Sequence, residues 1–194
     1  SRGLGDVYKR QIQDDAGILL AALSPEEVLA FLDVCPRDTL QAYPLTLLVL
    51  MRRMFTWQQI PKMLELRALL LAGIEAHPEL PDAERDNLLG ECDLIMSFLQ
   101  YNDIAAMSRL HRSAAARMTR PAISIRNEGS WTFGSPSVLM MFHRTPGQLG
   151  AELDAMNACM PHYYRLTNGH GQGAERIMDA EAAFLRGRFA LSLI

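Results

Sequence analysis

Five histidines, His77, His111, His143, His162 and His170, are the side chains best suited to metal or general-base chemistry. None stands in a set of Cys or carboxylate partners at ligand spacing such as HExxH, which would put two ligands on one helix face. Their scatter predicts no metal centre. Ser135 and Ser137 can be paired with a histidine on paper, but no GxSxG elbow holds either serine on a strained strand-to-helix turn. Ser135 is predicted instead as the N-cap of a helix beginning at Pro136. Glycines 169, 171 and 173 of GHGQG fit neither GxGxxG nor the phosphate loop GxxxxGK[ST], and read as a helix C-cap and turn. The acid pairs Glu26/Glu27 and Asp14/Asp15 fall at helix starts or on charged faces, where the helix dipole and solvation account for them. Neither a catalytic group nor a cofactor is expected from these residues.

Two clusters remain as a candidate effector or partner surface. The first is Trp131, Phe133, Ser135, His143 and Arg144, around the irregular NEGSWTFGSPS. Ordering such a stretch costs about 1–2 kcal/mol per residue in backbone entropy, so something must hold it. Trp131 and Phe133 can anchor it by burying their rings, and free N–H groups of the helix that follows would suit a polar ligand. Packing of the loop is the competing role, with His143 and Arg144 complementing the end of that helix. The second cluster is His162, Tyr163, Tyr164 and Arg165. It can line a concave face, or supply aromatic packing between adjacent helix pairs.

The elements that must position these residues are helical. Leu88, Cys92, Ile95 and Leu99 step by 4, 3 and 4, as do Leu149, Leu153, Met156 and Met160, and Met178, Ala182, Leu185 and Phe189. That spacing draws an apolar stripe along one helix face. The run Leu47 to Met51, ringed by helix formers, predicts a buried helix. Ser24-Pro25-Glu26-Glu27 spells a capping box with proline at the first helical position. Thr56-Trp57-Gln58-Gln59 and Thr145-Pro146-Gly147-Gln148 are expected to repeat it.

Tight turns are expected near Thr56, Asn102, Pro146 and Gly187, 46, 44 and 41 residues apart, a spacing suited to two-helix repeats. The fold class expected is all-α, an α-solenoid of antiparallel helix pairs forming a tetratricopeptide-like superhelix, with a plain helical bundle as the alternative. Residues 12–80 would form N-terminal helical pairs. Residues 81–190 would form tetratricopeptide-like repeats broken by an irregular loop over 119–135. The opening 1–11 and the closing 191–194 read as translated adapter sequence rather than natural protein.

Bulk properties exclude whole classes of function. A net charge of −3 opposes direct nucleic-acid binding, which needs a clustered basic surface. Cys35, Cys92 and Cys159 lie far apart in apolar helical settings, as buried thiols of a reducing compartment do. No apolar run approaches the roughly 20 residues of a membrane span. Cytoplasmic localisation is the expectation. The eleven methionines fall mostly on apolar faces, as core filling or as an adaptable binding surface.

Three strings, FLQYNDIAAMSRLHRSA, WTFGSPSVLMMFHRTPGQL and MPHYYRLTNGHGQGAERIMDAEAAFLRGRF, resemble the central helical region of large LuxR-family transcriptional regulators of the MalT-like kind. The resemblance covers roughly residues 85–190 and fades over 12–80. It implies a non-catalytic sensor of tetratricopeptide-like repeats that relays a small-molecule effector or protein-partner signal. The ATPase and the DNA-binding helix-turn-helix of that family would lie outside this segment, which has no phosphate loop. A structural spacer or protein–protein scaffold is the alternative. Self-association is expected if the apolar face of Met178, Leu185 and Phe189 stays uncovered.

Overall fold

The structure, a computed structural model, describes residues 22–126 and 137–188. Nine α-helices are found among the described residues, and no strand. In chain order they are α1 (Pro25–Val34), α2 (Arg37–Gln41), α3 (Pro44–Thr56), α4 (Ile60–Ala76) and α5 (Asp82–Ser97). A short 3₁₀ turn (Phe98–Gln100) prolongs α5, and α6 (Ile104–Arg117), α7 (Val138–Phe142), α8 (Leu149–Leu166) and α9 (Ala174–Leu185) follow.

Local chemistry explains several boundaries. The Glu27 amide donates to Ser24 Oγ (3.2 Å) and the Ser24 amide to the Glu27 carboxylate (2.8 Å), so the expected capping box opens α1. Asp103 caps α6 by accepting from the Ala106 amide at 2.9 Å. The other two expected boxes do not form. Thr56 closes α3, its hydroxyl donating to the Arg52 carbonyl (3.2 Å), while α4 starts from Gln59 without a side-chain cap. The intervening Gln58 takes a left-handed φ of 58°, which turns the chain before a threonine cap can reach forward. Likewise α8 starts from Gln148 without a side-chain cap. The helix expected from Pro136 begins at Val138, capped by Ser137, whose hydroxyl accepts from the Met140 amide at 3.1 Å.

Turns lie at all four expected places. Three residues separate α3 from α4, which pack on one another. α5 packs on α6 and also reaches α3, α6 continues onto α8, and α9 closes against α7 and α8. The segment Thr46–Met51 of α3 is buried on every side, in one core cluster that runs from Val28 to Ala182. Gly90 on α5 permits close approach of the chain beyond α6, since a Cβ there would lie 2.3 Å from Met118 Cγ. Of the apolar stripe expected on α9, Met178 and Ala182 are buried but Leu185 is 69% exposed; Phe189 lies outside the described residues.

Non-helical chain follows Met118, as its composition predicts, and it is pinned by a buried carboxylate. Glu91 of α5 accepts from Arg120 Nη1 (2.5 Å), the Ile123 amide (3.0 Å), the Ser124 amide (2.9 Å) and the Ser124 hydroxyl (2.5 Å). The Ala122 amide reaches across to the Leu166 carbonyl of α8 at 2.7 Å. Residues 118–126 therefore strap α5 to α8, and the rest of the expected loop, through 135, lies outside the described residues.

Candidate functional site

A pocket of about 40 Å³ lies where α5, α6, α7 and α8 converge on the turn that leads into α9. Phe98, Met107, Met141, Phe142, Met160 and Ala174 make its apolar wall, and Ser97, His111, Tyr163 and His170 supply the polar side chains. α7 carries Met141 and Phe142 into the site through its single buried face. The glycines of the 167–173 turn adopt left-handed φ of 85°, 69° and 96° at Gly169, Gly171 and Gly173. Those angles are costly for any residue with a Cβ, and the winding they allow returns His170 to the core.

The polar groups form two chains whose proton positions follow from their partners. Ser97 Oγ donates to the Leu94 carbonyl at 2.6 Å, so it accepts from His111 Nε2–H (3.0 Å). That tautomer leaves His111 Nδ1 to accept from the Cys159 thiol at 3.1 Å. In the second chain Arg52 Nη2, which can only donate, lies 3.4 Å from His170 Nε2. His170 Nδ1–H then faces the Tyr163 hydroxyl oxygen at 2.8 Å. The Tyr163 ring packs on His111 (centroids 4.9 Å) and edge-on to Phe98 (6.4 Å), joining the two chains.

Electrostatics in this cluster favour neutral groups. Burial, with His162 nearby, lowers the His111 pKa to about 4; burial and then the Arg52 charge do the same to His170. Burial raises the Cys159 thiol to about 11 and moves the Tyr163 phenol well above its ordinary value. Cys159, His111 and Ser97 have the connectivity of a nucleophile, a base and its orienting group. Their protonation is the reverse of an activated pair, in which the thiol is acidified beside a cationic imidazole. With Cys159 wholly buried, this trio holds the core together.

Among the described residues, the sequence-derived surface residues do not converge. Trp131, Phe133 and Ser135 lie outside the described residues. His143 Nδ1 bonds the Glu152 carboxylate, which also accepts from the Arg144 and Thr145 amides at 3.4 Å each. Burial works to raise the Glu152 pKa, but the bonds from His143 and these amides outweigh it and hold it below the ordinary value. Arg144 donates to the Met140 and His143 carbonyls (2.6 and 2.8 Å) at the end of α7 and stacks over Tyr101 at 5.5 Å. Both residues thus join α7 to α8.

His162, Tyr163, Tyr164 and Arg165 point in four directions, because a helix turns about 100° per residue. Tyr163 alone enters the pocket, Arg165 is exposed, and His162 and Tyr164 are half-buried. The Tyr164 hydroxyl bonds Glu175 and accepts from the Ala174 amide (3.0 Å), supplying the cap of α9 that Gly173 cannot. Sequence reasoning passed over Ser97, His111, Cys159, His170 and Arg52 as a group. One local signal existed: His111 stands four residues after Met107 and three before Ala114 on the stripe that α6 buries.

Comparison with protein-family models, with curated proteins and with solved structures finds no match to this chain. No group of three or more His, Cys, Asp and Glu residues among the described residues is arranged to hold a metal ion. No helix among them is long and apolar enough to cross a membrane.

Proposed function

We propose that the chain is a cytoplasmic, non-catalytic sensing segment, a superhelix of tetratricopeptide-like helix pairs within a LuxR-type, MalT-like transcriptional regulator, which relays effector occupancy to a DNA-binding module. The observation that carries this reading is the pocket beside Tyr163, whose imidazole nitrogens are spent on neighbouring side chains and whose remaining wall is mostly carbon and sulfur. Such a wall binds; it does not activate. The pocket is also built from α5, α6, α7, α8 and the turn before α9, so filling it bears on the packing of several helices at once. The resemblance of residues 85–190 supports the same reading.

A thermal-shift survey of the chain against a panel of cytoplasmic metabolites tests it. Ligand at a hundred times its Kd stabilises the native state by about 2.7 kcal/mol. At least one metabolite is expected to raise Tm, and Ala174→Leu, which fills the pocket, abolishes that rise. A panel without effect leaves the spacer reading in its place.

The groove between α7 and α9 favours a second reading, contact with a protein partner or another copy. Met140, Phe184 and Leu185 beside it are 72%, 58% and 69% exposed, and adjacent exposed apolar side chains mark association sites. Sedimentation velocity of the chain is expected to show concentration-dependent self-association that Phe184→Glu suppresses. A clean monomer at high concentration removes another copy as the occupant of this groove and leaves sensing untouched.

A further inference from the structure

Resting on the sensing reading above, we infer that the pocket between α6, α7 and α8 takes a compact, uncharged apolar group of roughly three to five heavy atoms and rejects ions of equal size. Size sets the first limit. A water needs about 10–15 Å³ of such space, and an engineered apolar cavity of about 150 Å³ holds benzene. At about 40 Å³ this pocket is too small for a ring, yet larger than a single water requires. Met107, Met141 and Met160 border it, and unbranched thioether side chains shift to fit an irregular guest.

Charge sets the second limit. His111 spends Nε2–H on Ser97 and Nδ1 on the Cys159 thiol, and His170 spends both ring nitrogens on Tyr163 and Arg52. A guest therefore meets dispersion contacts and no polar atom lacking a partner on either imidazole. An anion would have to draw Arg52 away from His170, and a cation would meet no carboxylate among the lining residues. Desolvating either ion costs several kcal/mol. A neutral guest enters without such a cost, and the methionine and phenylalanine side chains of the wall favour an apolar one.

The test uses the chain labelled with ¹³C at its methionine methyls and titrated with xenon, dimethyl sulfide, acetate and trimethylsulfonium. Saturating shifts with xenon and dimethyl sulfide are expected at Met107, Met141 and Met160 and not at the exposed Met140. The two ions are expected to leave those three methyls unmoved. Ala174→Leu should weaken xenon binding at least tenfold. Should that variant misfold, Met160→Ala serves instead, since it enlarges the space and should tighten xenon binding. Acetate or trimethylsulfonium shifting the three methyls would overturn the ligand class while leaving a sensing role intact. Absence of xenon shifts at these methyls in the wild type, and at those of Met107 and Met141 in Met160→Ala, overturns the inference as well. Xenon binding at the pocket with no responsive metabolite would instead sustain the inference and defeat the sensing reading.

Discussion

Acidification from pH 7 to pH 4 is expected to remove roughly 3 kcal/mol of stability for each of His111 and His170, a large share of the about 5–15 kcal/mol that holds an ordinary domain folded. Both imidazoles are lowered from 6.5 to about 4 in the folded chain. In the unfolded chain they titrate near the ordinary imidazole value of 6.5. Between those limits the unfolded state binds more protons than the native state, so stability is full above about pH 6.5 and falls as the pH drops toward 4. The cause is geometric. A proton on His170 would face the Arg52 guanidinium, and one on His111 Nδ1 would displace the Cys159 thiol proton among buried side chains. Glu152, held below its ordinary carboxyl value, adds a further loss at the acid end of the range. Urea unfolding at pH 7.5 and pH 4.5 measures the effect, and His170→Gln should flatten it by about half. Equal midpoints at the two pH values would show that these imidazoles are not buried as neutral bases.

Glu91→Ala is expected to cost about 3–5 kcal/mol, the range for removing one partner of a buried ion pair. The side chain is fully buried and accepts four hydrogen bonds from a stretch of chain that has no helix of its own. Removal leaves the Ser124 amide and hydroxyl buried without an acceptor, and each such group costs about 1–3 kcal/mol. Arg120 keeps Glu84 as a second partner, at 2.8 Å, so part of its interaction survives. The double variant Glu91→Met, Arg120→Met should therefore cost less than the sum of the single changes, because it removes both charges together. Chemical denaturation measures the loss, and hydrogen exchange at the Ile123 and Ser124 amides reports whether the strap has come away from α5. A loss for Glu91→Ala within about 1 kcal/mol of zero would mean that water replaces the carboxylate there.

Much of the helical framework was legible along the chain. Leu47–Met51 is a buried helix because an apolar run among helix formers has no other stable use, and Ser24 caps α1 because both halves of its box sit within one turn. The four turns, and the break after Met118, follow from the same short-range rules. The boxes expected at Thr56 and Thr145 fail for a reason that lies beyond the motif itself. A cap needs the backbone angles of its own residue to be right, and neighbouring helices set those angles through the way they pack. Pro161 inside α8 makes the same point, since an interior proline costs about 3 kcal/mol locally and only the burial of Tyr163 and Leu166 beyond it explains why the helix continues.

The candidate site was legible only in fragments. Periodicity reports which face of a helix turns inward, and so it placed Met156, Met160 and Met178 in the core. It carries no information about which polar side chain on another helix will stand opposite. His111 meets Ser97 and Cys159 across 14 and 48 residues, and His170 meets Arg52 across 118. Such pairings have no local signature, because the free energy that selects them arises when water leaves the space between the helices and an unpaired polar group there becomes costly. Helical identity was thus determined by the sequence at short range, whereas the neutral, internally paired pocket was decided by the tertiary structure through desolvation.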